Sequence, residues 1–394
     1  FVLVTFAGLM DSADGQAARI YGTHSEMGRF LDFFNDMLVP VENLLGERNG
    51  GFKIAMNALN YGRIKLAVAT IDANKRVITH SVEYGNERKQ FGQSITSFGA
   101  IQQKLADMAA LTWAAESASY RAGQDVENHI IRLQKDGLSA PEAKLKGVEE
   151  YAIECAILKV FASEVNSFVV DEGVQIYGGM GYSADAPMEA AYRDARITRI
   201  YEGTNEINRM HSIGMLLKKA MKGEMDLMTP AMKIGSELMS IPSFDTPDYS
   251  VLFTEEKEMV EKLKKAFLMV AGKAVEKFTI EIENEQQLLM NAADMMLQIY
   301  AAESAILRAE KLAAKNGEAA AGVQIDMARL SLHFAVEKVG QAGREGIYSF
   351  TEGDEQRMLL MGLKRFTKVL NPINVKDTRK RIAAKIIEEN KYPF

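Results

Sequence analysis

The 394-residue chain carries 47 Lys+Arg against 53 Asp+Glu, a formal charge of −6, and 47% hydrophobic residues. So much apolar material can bury a sizeable core and excludes wholesale disorder. The acidic balance argues against a nucleic-acid binder. Eight prolines stand beside 22 methionines, and few helix breakers with many unbranched apolar side chains predict a mostly α protein. Length alone suggests two or three domains at about 150 residues each. The single cysteine, Cys155, cannot form an internal disulfide and suits a reducing compartment. No stretch reaches ~18 consecutive apolar residues, so no transmembrane helix is expected and a soluble, intracellular protein is. The chain opens on Phe1 with no basic segment ahead of its apolar start, which reads as a cut through a longer chain rather than a signal peptide.

Residues 1–48 read unlike the rest. Phe33 to Val41, with Pro40 near its end, has the look of strand, turn and strand, a remnant of a β-domain. From Gly50 the spacing of Phe52, Ile54, Ala55, Ala58, Leu59, Ile64, Leu66, Ala67 and Ile71 becomes helical. Long helices follow near 95–135, 142–180 and 205–222. Between the first two, Gly137 serves as a C-terminal cap, and Ser139 and Glu142 have capping-box spacing around Pro141. Long helices with short connections predict an antiparallel bundle over 49–222. Residues 223–252, with Pro230, Pro242 and Pro247, read as a linker, and 253–394 as a second helical domain. The last 31 residues hold nine Lys/Arg and three Asp/Glu, a local +6 that fits a solvated face or an anionic lipid surface.

The common site motifs are missing. There is no Walker loop and no G-x-G-x-x-G; Gly178-Gly179-Met180-Gly181 is only G-G-x-G after a helical segment. His24, His80, His129, His211 and His333 form no H-x-x-x-H pair, and none has Glu three residues before it. With one cysteine, no metal site is expected.

Two runs carry more. Gln175 to Tyr182 interrupts a helix with three glycines in four residues, which either ends the helix or lets a ligand approach the backbone closely. Downstream, Thr204 is an N-cap with Ile207 and Met210 beginning an apolar face. Glu202 just before it is either a solvated loop carboxylate or a group pointing into a cleft. Tyr201-Glu202-Gly203-Thr204-Asn205-Glu206-Ile207, the Gln175–Tyr182 run and Glu87-Arg88-Lys89-Gln90-Phe91-Gly92 together resemble the acyl-CoA dehydrogenase family, in order and separation. The likeness runs from about Phe33 to Met215, and the helical extension beyond the linker resembles the very-long-chain branch.

That resemblance implies FAD-dependent oxidation of a fatty acyl-CoA to the trans-2-enoyl-CoA, a step of fatty acid β-oxidation, with a carboxylate removing the pro-R α-proton as the β-hydride passes to flavin N5. By motif position Glu202 is the base, and its backbone N–H helps bind the thioester oxygen. Some branches place the base on the first bundle helix; here that position is Gly62, which offers no competing carboxylate. Asn60, Tyr61, Gly62 and Arg63 fall at substrate-side positions, as do Tyr201 and Gly203 beside the base. Arg88, Gln90 and Phe91 match the segment on FAD's pyrophosphate and ring system, where a guanidinium suits a diphosphate. Gln175, Ile176, Tyr177, Gly178 and Gly179 match the loop reaching FAD held mainly by a neighbouring subunit. Thr204, Asn205 and Glu206 match positions near the adenosine end, and Phe98 and Gln102 lie in a helix close to the flavin.

The resemblance further implies a homodimer, electron transfer flavoprotein as electron acceptor, and peripheral membrane contact through the C-terminal region, in bacterial cytoplasm or a mitochondrial matrix. The family's N-terminal helical domain and most of its β-domain have no counterpart here, and Trp113 does not match the flavin-facing tryptophan. Two readings follow: an acyl-CoA dehydrogenase represented by its C-terminal two-thirds, or a non-catalytic helical assembly protein on the same scaffold with an incomplete flavin pocket.

Overall fold

The computed structural model describes residues 44, 47–239 and 248–394, the side chains of 228, 238, 239 and 280 excepted. The strand–turn–strand expected around Phe33 to Val41 lies outside the described residues. Residues 1–58 and 59–394 form separate compact units; the described part of the first is a turn closed by the Gly50 N–H on the Glu47 carbonyl (2.9 Å) and the start of the first helix.

The bundle is built from α1 (Gly51–Glu87), α2 (Gly99–Lys135), α3 (Ala140–Glu150), α4 (Ala152–Tyr177), a single turn α5 (Gly179–Tyr182), α6 (Pro187–Ile197) and α7 (Asn205–Met221). The helix expected over 142–180 is broken at Tyr151, whose backbone (φ −99°, ψ 26°) ends α3 and begins α4. The capping box is present: the Glu142 carboxylate accepts from the Ser139 N–H at 3.2 Å and from its hydroxyl at 2.6 Å. α4 ends at Gly178, whose φ of 63° costs a glycine little and would strain any other residue. Among the described residues the only strands are β1 (Lys89–Gln90) and β2 (Gln93–Ser94), antiparallel with Gln90 opposite Gln93. Their two-residue loop, Phe91-Gly92, has positive φ at both positions (51° and 82°), the geometry of a type I′ hairpin turn.

The second half comprises α8 (Met228–Met239), α9 (Thr254–Phe278), α10 (Gln286–Asn316), α11 (Gly322–Phe350), α12 (Gly353–Phe366) and α13 (Val375–Glu389). The stretch read as a linker therefore holds a helix: the Asp226 carboxylate accepts from the Thr229 N–H at 3.0 Å and Pro230 follows in the first turn, both favourable at a helix start. α2 joins the two halves. Its alanines 106, 109, 110, 114, 118 and 122 are all buried, and so small a surface lets α3, α4, α10, α11 and α13 pack around it. Arg379 and Arg381 of α13 make paired bonds to Asp107 and Asp326 at 2.7 to 2.9 Å. These pairs and the Lys385–Glu389 pair spend part of the basic surplus of the C-terminal end. No helix among the described residues is long and apolar enough to cross a membrane.

Candidate active site

Glu202 sits in the connection between α6 and α7 with φ of 58°, the left-handed region, and Gly203 follows at 83°. For a glutamate that conformation costs on the order of 1–3 kcal/mol and persists only where the surroundings enforce it. Here they do. Two successive left-handed residues turn their carbonyls inward, where each must find a donor. The Glu202 carbonyl accepts from Arg63 Nε and from Asn208 Nδ2, both at 3.3 Å. The Gly203 carbonyl accepts from Asn208 Nδ2 and from Lys159 Nζ, both at 2.8 Å. Thr204 then caps α7, its hydroxyl accepting from the Ile207 N–H at 3.3 Å, as its place in the sequence predicts.

The Glu202 carboxylate lies over Gly62 of α1: a Cβ there would stand 2.5 Å from Oε2. Oε2 is buried and finds no protein donor. A buried carboxylate oxygen without a partner is expensive and rare in a purely structural role. Arg63, next on α1, is buried and donates to the Asn60 side chain at 3.2 Å; burial pulls its guanidinium below the ordinary value. His211 of α7 is pushed down by burial and by the Arg63 charge. Cys155, behind the site on α4, is fully buried and its thiol is pushed up to about 12 by that burial. Tyr61 donates to the Lys144 carbonyl at 3.4 Å, and Tyr201 is exposed on the rim of a cleft of about 660 Å³ that also meets Leu66, Thr70, Val77, Met188 and Ala191.

The structure thus brings Asn60, Gly62, Arg63, Glu202 and Gly203 together. Thr204, Asn205 and Glu206 stand at the same end, with the Asn205 side chain buried and engaged to Lys159, Ser163 and Glu164. Lys159, Asn208 and His211 are the members that the sequence reading missed.

The remaining predicted residues gather at the other end of α1. Tyr84 and Tyr177 stack with ring centroids 4.1 Å apart, and the Tyr177 hydroxyl donates to the His80 carbonyl at 3.2 Å. That contact sets Gln175, Ile176 and Tyr177 against the hairpin end of α1; Ile176 is buried and Gln175 exposed. The hairpin is pinned by Ser94, whose hydroxyl donates to the Gly85 carbonyl at 2.7 Å, and by Thr96 donating to Asn86 Oδ1 at 2.8 Å. Gln102 donates to the Thr96 carbonyl at 3.1 Å, and Phe98 meets Phe91 edge-on at 6.1 Å. Outward, everything is open. Arg88 and Gln90 are exposed, Phe91 is 92% exposed on its left-handed turn, and a Cβ on Gly178 or Gly179 would meet nothing within 4 Å. Gly62 and Glu87 are about 25 residues apart on one helix, about 37 Å at ~1.5 Å per residue.

Residues 49–216 match the family model "Acyl-CoA dehydrogenase, C-terminal domain", and residues 262–365 match a second model of the same description. The chain belongs to the acyl-CoA dehydrogenase family. It is 42% identical over 354 residues to the probable acyl-CoA dehydrogenase of Bacillus subtilis, covering 90% of this chain and 59% of that protein. With the very long-chain specific mitochondrial acyl-CoA dehydrogenase of Bos taurus it shares 31% over 359 residues, 86% of this chain and 50% of the relative. The crystal structure of an acyl-CoA dehydrogenase complexed with FAD from Bacillus anthracis superposes with a TM-score of 0.87 at 42% identity, over 90% of this chain and 60% of that one. The chain therefore spans half to three-fifths of the length of these relatives. One match spans the bundle with its hairpin and Glu202, the other the helical extension. Among the described residues no three His, Cys, Asp or Glu side chains gather as a metal site.

Proposed function

We propose that this chain supplies the catalytic carboxylate and cofactor-contacting surfaces of an FAD-dependent acyl-CoA dehydrogenase that converts a fatty acyl-CoA to the trans-2-enoyl-CoA. The observation that carries this is Glu202: a glutamate held left-handed by three side chains, with one carboxylate oxygen buried, unpartnered and facing a glycine. A helical assembly protein would gain nothing from such an arrangement, whereas a base needs an acceptor oxygen that no protein donor occupies.

Glu202 would take the α-proton of the thioester at Oε2. Its backbone N–H bonds to no carbonyl among the described backbone pairs, which leaves it for the thioester oxygen, where enolate charge develops. Arg63 fixes the Glu202 carbonyl, and the cleft at Tyr201 receives the apolar part of the ligand. The residues also suit FAD: an exposed guanidinium at Arg88, an aromatic tip at Phe91 and open backbone at Gly178 and Gly179 fit a diphosphate with its ring systems. Bound FAD would supply the acceptor for the β-hydride. Gln90, Phe98, Gln102, Gln175, Ile176 and Tyr177 would shape that surface, and Thr204, Asn205 and Glu206 the stretch beside the base.

The same geometry supports a homodimer. The base and the open hairpin stand about 37 Å apart along α1, so the two surfaces of one chain serve two different flavins, and each site takes its second surface from the other copy. The likeness to very long-chain enzymes supports a long acyl chain, and electron transfer flavoprotein would take the electrons. Arg379, Arg381 and Lys385 are spent in ion pairs, which favours a solvated C-terminal face over a lipid-bound one.

The test is optical. The flavin-loaded protein should bleach on anaerobic addition of a long-chain acyl-CoA, and Glu202→Gln should keep its colour and lose the bleaching. Protein that never retains flavin, or bleaching undiminished in Glu202→Gln, would overturn the proposal.

A further inference from the structure

Lys159 touches neither the Glu202 carboxylate nor the cofactor surface, yet it bonds the turn between them. It lies midway along α4 in the run Ile157-Leu158-Lys159-Val160-Phe161 and is 0% exposed. Its ammonium has no ion pair among the described residues; it donates to the Gly203 carbonyl and to Asn205 Oδ1, both at 2.8 Å. Two other features of the place disfavour a cation. The N-terminus of α7 begins at Asn205, and a helix N-terminus carries positive partial charge. Burial and the neighbouring Arg63 charge push Lys159 down to about 8, with Glu206, Glu164 and Glu202 opposing. A methionine of similar length would fill the volume without that desolvation cost, so packing does not explain a lysine.

We propose that Lys159 is a positioning residue for the base: its ammonium clamps the Gly203 carbonyl and the Asn205 side chain, and so holds the left-handed turn that lays the Glu202 carboxylate over Gly62. The clamp is anchored well beyond the loop. Asn205 Nδ2 donates to Ser163 Oγ at 3.1 Å and to Glu164 at 3.2 Å. Arg209 bridges Glu164 (2.8 Å) and Asp294 of α10 (2.7 Å). The turn carrying the base is thereby tied through α4 and α7 to the C-terminal extension. Asn208 alone cannot do this, because its one amide group is divided among the Glu202, Gly203 and Thr204 carbonyls. Released from Lys159, the Gly203 carbonyl keeps a shared donor and the αL pair loses its strongest restraint, a charge-assisted bond.

The inference rests on the dehydrogenase reading and is tested where the two can be told apart. The probe is a 3-thia-acyl-CoA, which has α-protons but sulfur at the β-position, so it can exchange an α-proton with deuterated water yet cannot be oxidised. Wild-type flavin-loaded protein should catalyse that exchange and Glu202→Gln should not; failure of either control sinks the dehydrogenase reading itself. Given both, Lys159→Met should retain flavin and bind the probe within about threefold of wild type, while exchange falls ten- to a hundredfold. Asn205→Ala leaves the ammonium but removes its second acceptor, and should slow exchange several-fold even if Lys159→Met does not fold. Exchange at the wild-type rate in either variant, or loss of flavin or probe binding in step with exchange, overturns the positioning role.

Discussion

The two ends of α1 are built on opposite plans. At Gly62 the protein closes on itself: the Glu202 and Gly203 carbonyls are held by guanidinium, ammonium and amide donors of the fold, while Glu202 Oε2 and Asn208 Oδ1 stay buried without a partner. At Glu87 the protein opens outward: an exposed arginine, an aromatic tip on a strained turn, and glycines with empty space where side chains would be. The first end has what proton abstraction needs and the second what a large anionic ligand needs. Rigid donors are required where an atom must be placed to within a fraction of an ångström, and open backbone where another molecule must come close. On the proposed reading neither end is a whole site, and about 37 Å of α1 separates them.

This division can be broken from either side. The largest effect belongs to Glu202→Gln, which should cut turnover at least 10³-fold with flavin content unchanged, since it removes the acceptor and little else. Gly62→Ala should come next, at roughly 10²-fold in kcat, because its Cβ would stand 2.5 Å from Oε2 and push the carboxylate aside. A wild-type rate in that variant would show that Glu202 does not work where it lies. At the other end Arg88→Ala should weaken flavin retention about tenfold, with the melting temperature of the flavin-free protein unchanged. A fall in that temperature instead would mark Arg88 as structural.

Two smaller effects concern stability. Lys159 is held down near 8 by burial, whereas the unfolded chain keeps its proton up to about 10.4. The native state therefore pays a penalty below pH 8 that is relieved as pH rises through 8 toward 10.4, worth on the order of 3 kcal/mol. Urea unfolding of wild type and Lys159→Met at pH 7 and pH 10 should show wild type gaining on the variant by that order; parallel curves would contradict it. Arg308→Ala should cost about 1–2 kcal/mol, because Arg308 lies 3.8 Å above the Trp113 ring and bonds the buried Glu116 at 2.8 Å. Its turnover should not change.

Local signals were legible in the sequence and distant ones were not. The Ser139–Glu142 box and the Thr204 cap act within three residues, so their spacing states their geometry. Glu202, Gly62 and Arg63 are legible only through family motifs; residue chemistry alone does not decide between a solvated loop carboxylate and a group in a cleft for Glu202. Lys159 lies 44 residues before Gly203, and no local pattern connects them, although a lone cation between Leu158 and Val160 in an apolar helix should itself prompt a search for buried acceptors. The break at Tyr151 was missed because an ordinary tyrosine can leave helical geometry without a glycine or proline to announce it. The helix α8 was missed because Pro230 reads as a breaker, when in the first turn it is at home.

The most direct test of the divided site is complementation between Glu202→Gln, which lacks the base, and Arg88→Ala, assayed at a flavin concentration too low for Arg88→Ala alone to load. Mixed, unfolded and refolded together with flavin, they should form hybrids in which Glu202 of one copy meets Arg88 of the other. With random pairing, about a quarter of sites should bleach with a long-chain acyl-CoA as wild type does. No recovery above the separate variants would mean that base and flavin surface serve a site within one chain, against the geometry of α1.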